Sequence, residues 1–560
     1  MKILFLTHSF NSLTQRLFVE LTGRGHEVSV EFDIADPVAA EAVEMFRPEL
    51  ILAPYLRRAI PESIWAKHVC LVVHPGVVGD RGPSALDRAI QDGETAWGVT
   101  VLQANAVMDG GDIWATRTFP MRQGTKSSLY RNEVTEAATQ AVLEAVERFA
   151  GGGFRPVPLA KADCRGRERP LLRQEERAID WPMDDTATVL RKIRAADGFP
   201  GLKDSLFGEA CLLHDAHAVE TPSPLWGEGR GEGGRLLGRS GHGLLRATKD
   251  GAVWIGHLRR PGGPHPFKLP ASIAFPREWA ALPELPGSPR EIRFEEAAGV
   301  GYLHFDFYNG AMATEQCRAL RAAVEEARRR PIRVLVLMGG RDFWSNGIHL
   351  NRIEAADSPA EESLANIEAM DDLALSLLQT EGQLTVAALG GNAGAGGCFL
   401  ALACDQLWAR PGVILNPHYK NMGNLYGSEY WTYSLPKRVG EAKARAILHN
   451  RLPLGTVDAL AQGIADSVFG ADWAAFRREV AERATALAAS FDFQARIEAK
   501  SEARRRDEAR KPLSAYRQEE LAEMRRNFFG FDPSYHVARF HFVHKSPAAW
   551  TPRHLAKHRN

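Results

Sequence analysis

Between residues 264 and 289 the sequence places seven prolines. Proline fixes φ and removes a backbone donor, so neither a continuous helix nor an interior strand runs through such a stretch. The chain is thereby cut into two large halves, each opening on a run of strand character: KILFLT (2–7) and GYLHFDF (301–307). At 560 residues it also exceeds what one hydrophobic core serves. Three or four structural units are expected.

In the first half, strand patterns at 2–7, 28–32, 50–53, 70–73 and 99–102 alternate with helical spacing such as 13–21. That alternation predicts an α/β fold with a doubly wound sheet over 1–165. A shift into Pro, Lys and Arg at 156–169 predicts a linker. Strand patterns at 243–247 and 252–257 predict a small, OB-like β-rich domain over 170–270, with a Gly/Arg-rich mobile insert near 221–242. In the second half, GYLHFDF, a helix and VLVLM (334–338) predict another α/β domain over 285–470. Charged amphipathic spacing predicts a C-terminal helical extension over 471–560, with Arg504–Arg506 on a solvated face.

Charge is balanced, with 69 Lys plus Arg against 69 Asp plus Glu, so no global field favours nucleic acid or an anionic membrane. Residues 384–404 are apolar enough to suggest a span, but five glycines and an asparagine point to a Gly-rich loop entering a buried helix. Six scattered cysteines lack CxxC or Cys/His spacing, which predicts a reducing, cytoplasmic setting and no structural metal.

Chemistry concentrates first in 74–114. His74 leaves the end of a strand, and Asp109 sits in a tight MDGGD turn after the next one. Ligands of open α/β sheets bind at the carboxyl ends of strands, and a His–Asp pair there suits acid–base work. The glycines around Asp109 equally suit a plain structural turn. His74-Pro75-Gly76, Arg81-Gly82, Gly98-Val99-Thr100 and Asp109-Gly110-Gly111 resemble the 10-formyltetrahydrofolate-dependent formyltransferases. EERAIDW (175–181), RKIRA (191–195) and GLLRATKDGAVWI (243–255) resemble the accessory β-domain of their tRNA-acting members. The resemblance implies that His74 serves the tetrahedral oxyanion on the formyl carbon and that Asp109 positions it. Two departures stand out. Val72 occupies the place of the family's Asn, so either another group supplies that donor or the acceptor is easier to formylate than an amine, as a thiol is. The Ser-Leu-Leu-Pro segment is absent, which argues against a tRNA acceptor.

The second concentration lies in the other half. RDFWSNGIHL (341–350) and ALGGNAGAGGCFLALACD (388–405) resemble the crotonase (enoyl-CoA hydratase/isomerase) superfamily. By position, the amides of Ile348 and Gly396 would form its oxyanion hole for a thioester. Where hydratases carry a catalytic Glu this chain has Phe399, which argues against ordinary hydration. Tyr419 and Glu429 just downstream, with His418 and Ser428 beside them, are the candidate acid–base pair.

HPGVVGDRGPSALDRAI (74–90), FYNGAMA (307–313) and NPHYKNMGNLYGSEYWTY (416–433) together resemble the HypX (HoxX) family of nickel–iron hydrogenase maturation factors. That resemblance implies a relay with 10-formyltetrahydrofolate as formyl donor and coenzyme A as acceptor, ending in decarbonylation of formyl-CoA to CO. Small-molecule substrates and transient contact with hydrogenase assembly proteins are the partners it implies. Coenzyme A would be held by Arg131 and Arg539, with Gln15 and Asn309 as polar neighbours. Three alternatives remain at this level: formylation of an amine over a crotonase scaffold, processing of a longer acyl-CoA, or a non-enzymatic one-carbon carrier.

Overall fold

The computed structural model describes residues 1–219 and 233–559. They form two compact units: Met1–Pro289 together with the tail from Pro547, and Arg290–Ser546.

The first unit holds two sheets. In the first, the strands run Glu27–Phe32, Lys2–Thr7, Leu50–Ala53, Cys70–His74, Ala96–Gln103, Ile113–Pro120. The first four are parallel and the last two antiparallel. Their near-continuous burial explains the unbroken apolar runs, since a parallel strand is covered on both faces. The second sheet is antiparallel and runs from Leu202–Leu206 through Glu209–Ala218, Ala252–Arg259 and Gly243–Ala247 to Leu236–Ser240.

Three sequence expectations change here. Of the insert expected to be mobile near 221–242, residues 221–232 lie outside the described residues, but Leu236–Ser240 is a strand paired with Gly243–Ala247. The proline-rich stretch is no bare linker: Lys268–Pro270 pairs with Ala252–Arg259, and two short helices, Ala271–Ala274 and Pro276–Ala280, follow. The charged segment 156–169 is also folded in, through bridges Ile113↔Val157 and Arg81↔Glu168.

The second unit has a six-stranded sheet whose strands beyond the first pair are parallel: Val300–Phe305, Val334–Met338, Leu384–Leu389, Gln406–Ala409 and Ser467–Val468. A smaller sheet gathers Phe343–Ser345, Asn392–Gly394, Ile414–Asn416 and Leu454–Gly455. Its short strands are the stems of the loops where the chemistry-bearing motifs lie. Four helices, Trp473–Ala488, Phe493–Arg510, Leu513–Phe529 and Ser534–His544, complete the unit. The expected extension over 471–560 does not behave as one piece. Residues from Pro547 belong with the first unit, where Leu555 O accepts Val30 N–H at 3.0 Å on the edge strand Glu27–Phe32. Arg504 is not a solvated arginine either; its Nη1 donates to Tyr433 Oη at 2.7 Å. No helix among the described residues is long and apolar enough to cross a membrane.

Candidate active sites

His74 ends the strand Cys70–His74 and is buried. Its two ring nitrogens face two carboxylates: Nε2 lies 3.0 Å from Asp80 Oδ2, and Nδ1 lies 3.5 Å from Asp109 Oδ2. The structure thus brings His74 and Asp109 together, and adds Asp80. The turn after His74 is shaped for this. A Cβ on Gly76 would stand 2.4 Å from His74 Nε2 and 2.7 Å from Asp80 Oδ2, so only glycine fits between them. Trp97 Nε1 donates to Pro75 O at 2.9 Å, and the Thr100 hydroxyl donates to Gly76 O at 2.8 Å, which ties that turn to the next strand. Asp109 itself is left-handed (φ 53°) and accepts Gly82 N–H at 3.2 Å.

Asp80 was missed by sequence reasoning, although it sits beside the Arg-Gly turn. It is buried, and its second oxygen meets Arg169 Nη2 at 3.1 Å. Arg169 comes from the segment read as a linker, and in the same segment a Cβ on Gly166 would lie 2.1 Å from Asp80 N. Val72 has no polar role: it packs against the apolar cluster of Leu4, Ile51, Ala53 and Ile64. Gln15 Nε2 donates to Phe10 O at 2.9 Å, and Arg131 lies in the π-helical turn Tyr130–Val134, a kind of bulge that often marks functional sites.

In the second unit, Gly347 (φ 78°) and Gly396 bring the two loops expected to form an oxyanion hole side by side. A Cβ on Gly347 would be 3.2 Å from Gly396 N. Pairing of Met312 with Ile348, with Met312 N donating to Gly347 O at 2.9 Å, fixes the first loop. Glu429 lies against the second loop, because a Cβ on Gly396 would stand 2.4 Å from Glu429 Oε1. Tyr419 Oη is 2.5 Å from Glu429 Oε2 and 2.9 Å from Ser428 O. Tyr419, Glu429, Gly396 and Ile348 are therefore gathered in one place. Phe399, the residue in place of a hydratase Glu, stacks on Tyr419 with ring centroids 5.1 Å apart.

Burial, followed by the charge of Asp371, drives the Glu429 pKa well above its ordinary value. Burial and the neighbouring Glu429 carboxyl push Tyr419 up as well. This agrees with the geometry. Tyr419 has one proton and two acceptors in reach, so a protonated Glu429 donating to Tyr419 lets Tyr419 donate to Ser428 O. Glu429 Oε1 remains buried without a hydrogen-bond partner among the described residues. His418 and Ser428 are buried nearby in the chain, and Ser428 donates to Asp371. Asn309 is left-handed (φ 58°), and its carbonyl accepts from Asn346 Nδ2 at 2.8 Å. Arg539 is buried and pairs with Glu354 at 2.7 Å.

Family models match residues 26–146 as formyl transferase, 171–265 as formyl transferase C-terminal domain, and 295–551 as enoyl-CoA hydratase/isomerase. The hydrogenase maturation factor HoxX of Bradyrhizobium diazoefficiens is 53% identical over 560 residues, covering 100% of this chain and 97% of that one. A crystal structure of HypX from Aquifex aeolicus in complex with tetrahydrofolic acid is 46% identical, with a TM-score of 0.94 over 100% of this chain and 99% of that one. A methionyl-tRNA formyltransferase of Paraburkholderia phymatum is 29% identical over 234 residues, 40% of this chain and 68% of that one.

Proposed function

The chain belongs to the HypX/HoxX family of hydrogenase maturation factors, and from that premise we propose that its two heads run a one-carbon relay. The first moves a formyl group from 10-formyltetrahydrofolate to the thiol of coenzyme A, and the second splits formyl-CoA into CO and free coenzyme A. The CO is the ligand for the active-site iron of a nickel–iron hydrogenase. Both small molecules are substrates that turn over.

In the first head Asp109 holds His74 through Nδ1, and His74 stabilises the oxyanion on the formyl carbon by turning its Nε2–H from Asp80 to that oxygen. As sulfur bonds to that carbon and the carbon–nitrogen bond to folate breaks, the thiol proton ends on the departing nitrogen. Val72 supplies no second donor, and a thiolate, a stronger nucleophile than an amine, tolerates that loss.

In the second head the amides of Ile348 and Gly396 receive the thioester oxygen. The reading rests on one observation: Glu429 offers Oε1, unpartnered, beside Gly396, and ties Oε2 to Tyr419. Oε1 accepts the formyl proton, and the carbon keeps that electron pair. The carbon–sulfur bond breaks, and Tyr419, re-protonated by the Oε2 side of Glu429, protonates the leaving thiolate. No electrons are gained or lost, and Glu429 ends protonated as it began. Phe399 removes the acid that would otherwise hydrate an enoyl group, and its ring backs Tyr419. Arg131 in the first unit, with Gln15 as polar neighbour, and Arg539 in the second, with Asn309 as polar neighbour, are the residues proposed to hold coenzyme A phosphates.

The test is an anaerobic mixture of the protein, coenzyme A and 10-formyltetrahydrofolate, with deoxyhaemoglobin as a spectroscopic CO trap. The expected result is carboxyhaemoglobin. Tyr419→Phe and Glu429→Gln should lower CO release by about 10²-fold or more while formyl-CoA accumulates. Undiminished CO from both variants would refute the assignment, and intact folate with no CO from the native chain would refute the relay.

A further inference from the structure

Two buried carboxylates beside Glu429 play no part in the steps above. Asp371, on the helix Pro359–Leu378, accepts Glu429 N–H at 2.8 Å and the Ser428 hydroxyl at 2.8 Å. Glu520, on the helix Leu513–Phe529, accepts Tyr430 N–H at 2.9 Å and Thr432 N–H at 2.8 Å. The Thr432 hydroxyl also donates to Glu520, at 2.5 Å. Both carboxylates are wholly buried. The backbone they grip is unusual: Glu429 and Tyr430 are consecutive left-handed residues (φ 59° and 58°), a conformation that costs energy for residues with a Cβ and persists only where surroundings impose it. A buried charge is equally costly, and ordinary packing would be served by an apolar side chain at either helix position.

We infer that Asp371 and Glu520 are positioning residues for the second head: they hold the amides of Glu429, Tyr430 and Thr432 in the strained turn that aims the Glu429 carboxyl at Gly396. The inference rests on the formyl-CoA reading and deepens it. It also gives the turn a second duty. Besides Asp371 and Glu520, the titratable and charged groups around Glu429 are Tyr419 and Tyr430 from its own segment, Asp372 beside Asp371, Arg517 from the helix of Glu520, and Cys317 from the helix Thr314–Arg328. Arg517 is the only cation in that set; it meets Asp372 at 2.6 Å and reaches Asp371 at 3.8 Å. With Arg517 no closer than 3.8 Å to Asp371, the negative charge that Asp371 gains toward alkaline pH favours the protonated Glu429 that the relay needs.

Asp371→Asn separates the two duties. The amide keeps an oxygen for Glu429 N–H and loses the charge. With formyl-CoA supplied directly and CO trapped, the native rate should fall at alkaline pH as Glu429 loses its proton. In Asp371→Asn that limb should move to lower pH, by about one unit, with KM held within twofold. Asp371→Ala, which also frees the Glu429 amide, should lower kcat by about 100-fold. Should the alanine variant fail to fold, the asparagine variant and Glu520→Gln, each checked by thermal melting, carry the test. An unchanged pH profile in Asp371→Asn would overturn the charge duty, and an unchanged kcat in a folded Asp371→Ala would overturn the positioning role, in each case with the native chain active. No CO from formyl-CoA with the native chain would overturn the reading beneath it.

Discussion

The two heads bury carboxylates in opposite ways. Around His74 the carboxylates meet donors: Asp80 and Asp109 face the two ring nitrogens, and Arg169 closes on the far oxygen of Asp80. Around Glu429 most neighbours are of like sign, and burial raises Asp371 to about 7 and, followed by the charge of Asp371, Glu520 to about 8. A compensated site can hold a charged transition state from the outset, because its counter-charges are already in place. A crowded, like-charged site instead stores protons near neutrality. The first arrangement suits stabilising an oxyanion, and the second suits passing one proton out and back.

The comparison breaks most sharply at Gly396. A Cβ there would stand 2.4 Å from Glu429 Oε1, and the Glu429 backbone is already held by Asp371 and so has little room to yield. Gly396→Ala should cut CO release from supplied formyl-CoA by about 10²- to 10³-fold, while formyl-CoA formation from folate continues. Stopped-flow trapping with haemoglobin and chromatography of the CoA thioesters read the two heads separately. Retained CO release would show that the loop relaxes and that the fit around Glu429 is loose.

Asp80→Asn addresses the compensated head, with a smaller expected effect. The amide preserves the shape that Gly76 and Gly166 leave for this side chain and removes the charge opposite His74 and Arg169. Formyl transfer to coenzyme A should fall by roughly 10- to 100-fold, with CO release from supplied formyl-CoA unaltered. A normal transfer rate would reduce Asp80 to a scaffold and leave Asp109 as the one carboxylate that matters to His74.

Much of this was legible in the sequence. The strand runs at 2–7, 50–53 and 334–338 coincide with observed strands because each is buried, the first from Ile3 on, and so stays largely apolar. The proximity of the loops at 347 and 396 and the contact of Tyr419 with Glu429 follow from local motif and order. The partners that set their charge did not, for a physical reason: Asp371 and Glu520 come from helices distant in sequence. Each sits inside an apolar stripe, Asp371 between Ile367 and Ala374, and Glu520 between Leu513 and Met524. A carboxylate at a core-facing position is a readable signal, but in a helix as charged as 513–529 it is masked by its exposed neighbours. Asp80 was hidden differently. Its cation comes from a Pro- and Arg-rich segment whose composition resembles a linker and whose folding depends on Gly166 and Arg169 meeting the site.

The tail extends the same contrast and gives the smallest expected effect. Glu31 is wholly buried in the first unit, yet compensated: His558 Nε2 lies at 2.8 Å, Arg559 Nη2 at 2.8 Å, and the Thr551 hydroxyl donates to Oε1. Burial alone would raise its pKa, but these three partners outweigh that and leave it below its ordinary value of 4.5. Its contribution to stability is thus present above that value and is lost as pH falls through the lower folded-state pKa. The raised carboxylates of the second unit have the opposite sign, since the folded chain keeps their protons to higher pH than the unfolded chain. Their contribution weakens as pH rises from their ordinary values toward about 7 for Asp371 and about 8 for Glu520. Thr551→Val removes one hydrogen bond to Glu31 and leaves Phe32 N–H, which donates to Thr551 Oγ1 at 2.7 Å, without its acceptor. The cost should be about 1 kcal/mol at pH 7, read by denaturant unfolding, and it should shrink at acid pH as Glu31 takes up a proton. A cost that is the same at both pH values would mean that the tail is held by packing of Leu555 and its backbone pairing to Val30, and that compensation of Glu31 contributes nothing measurable.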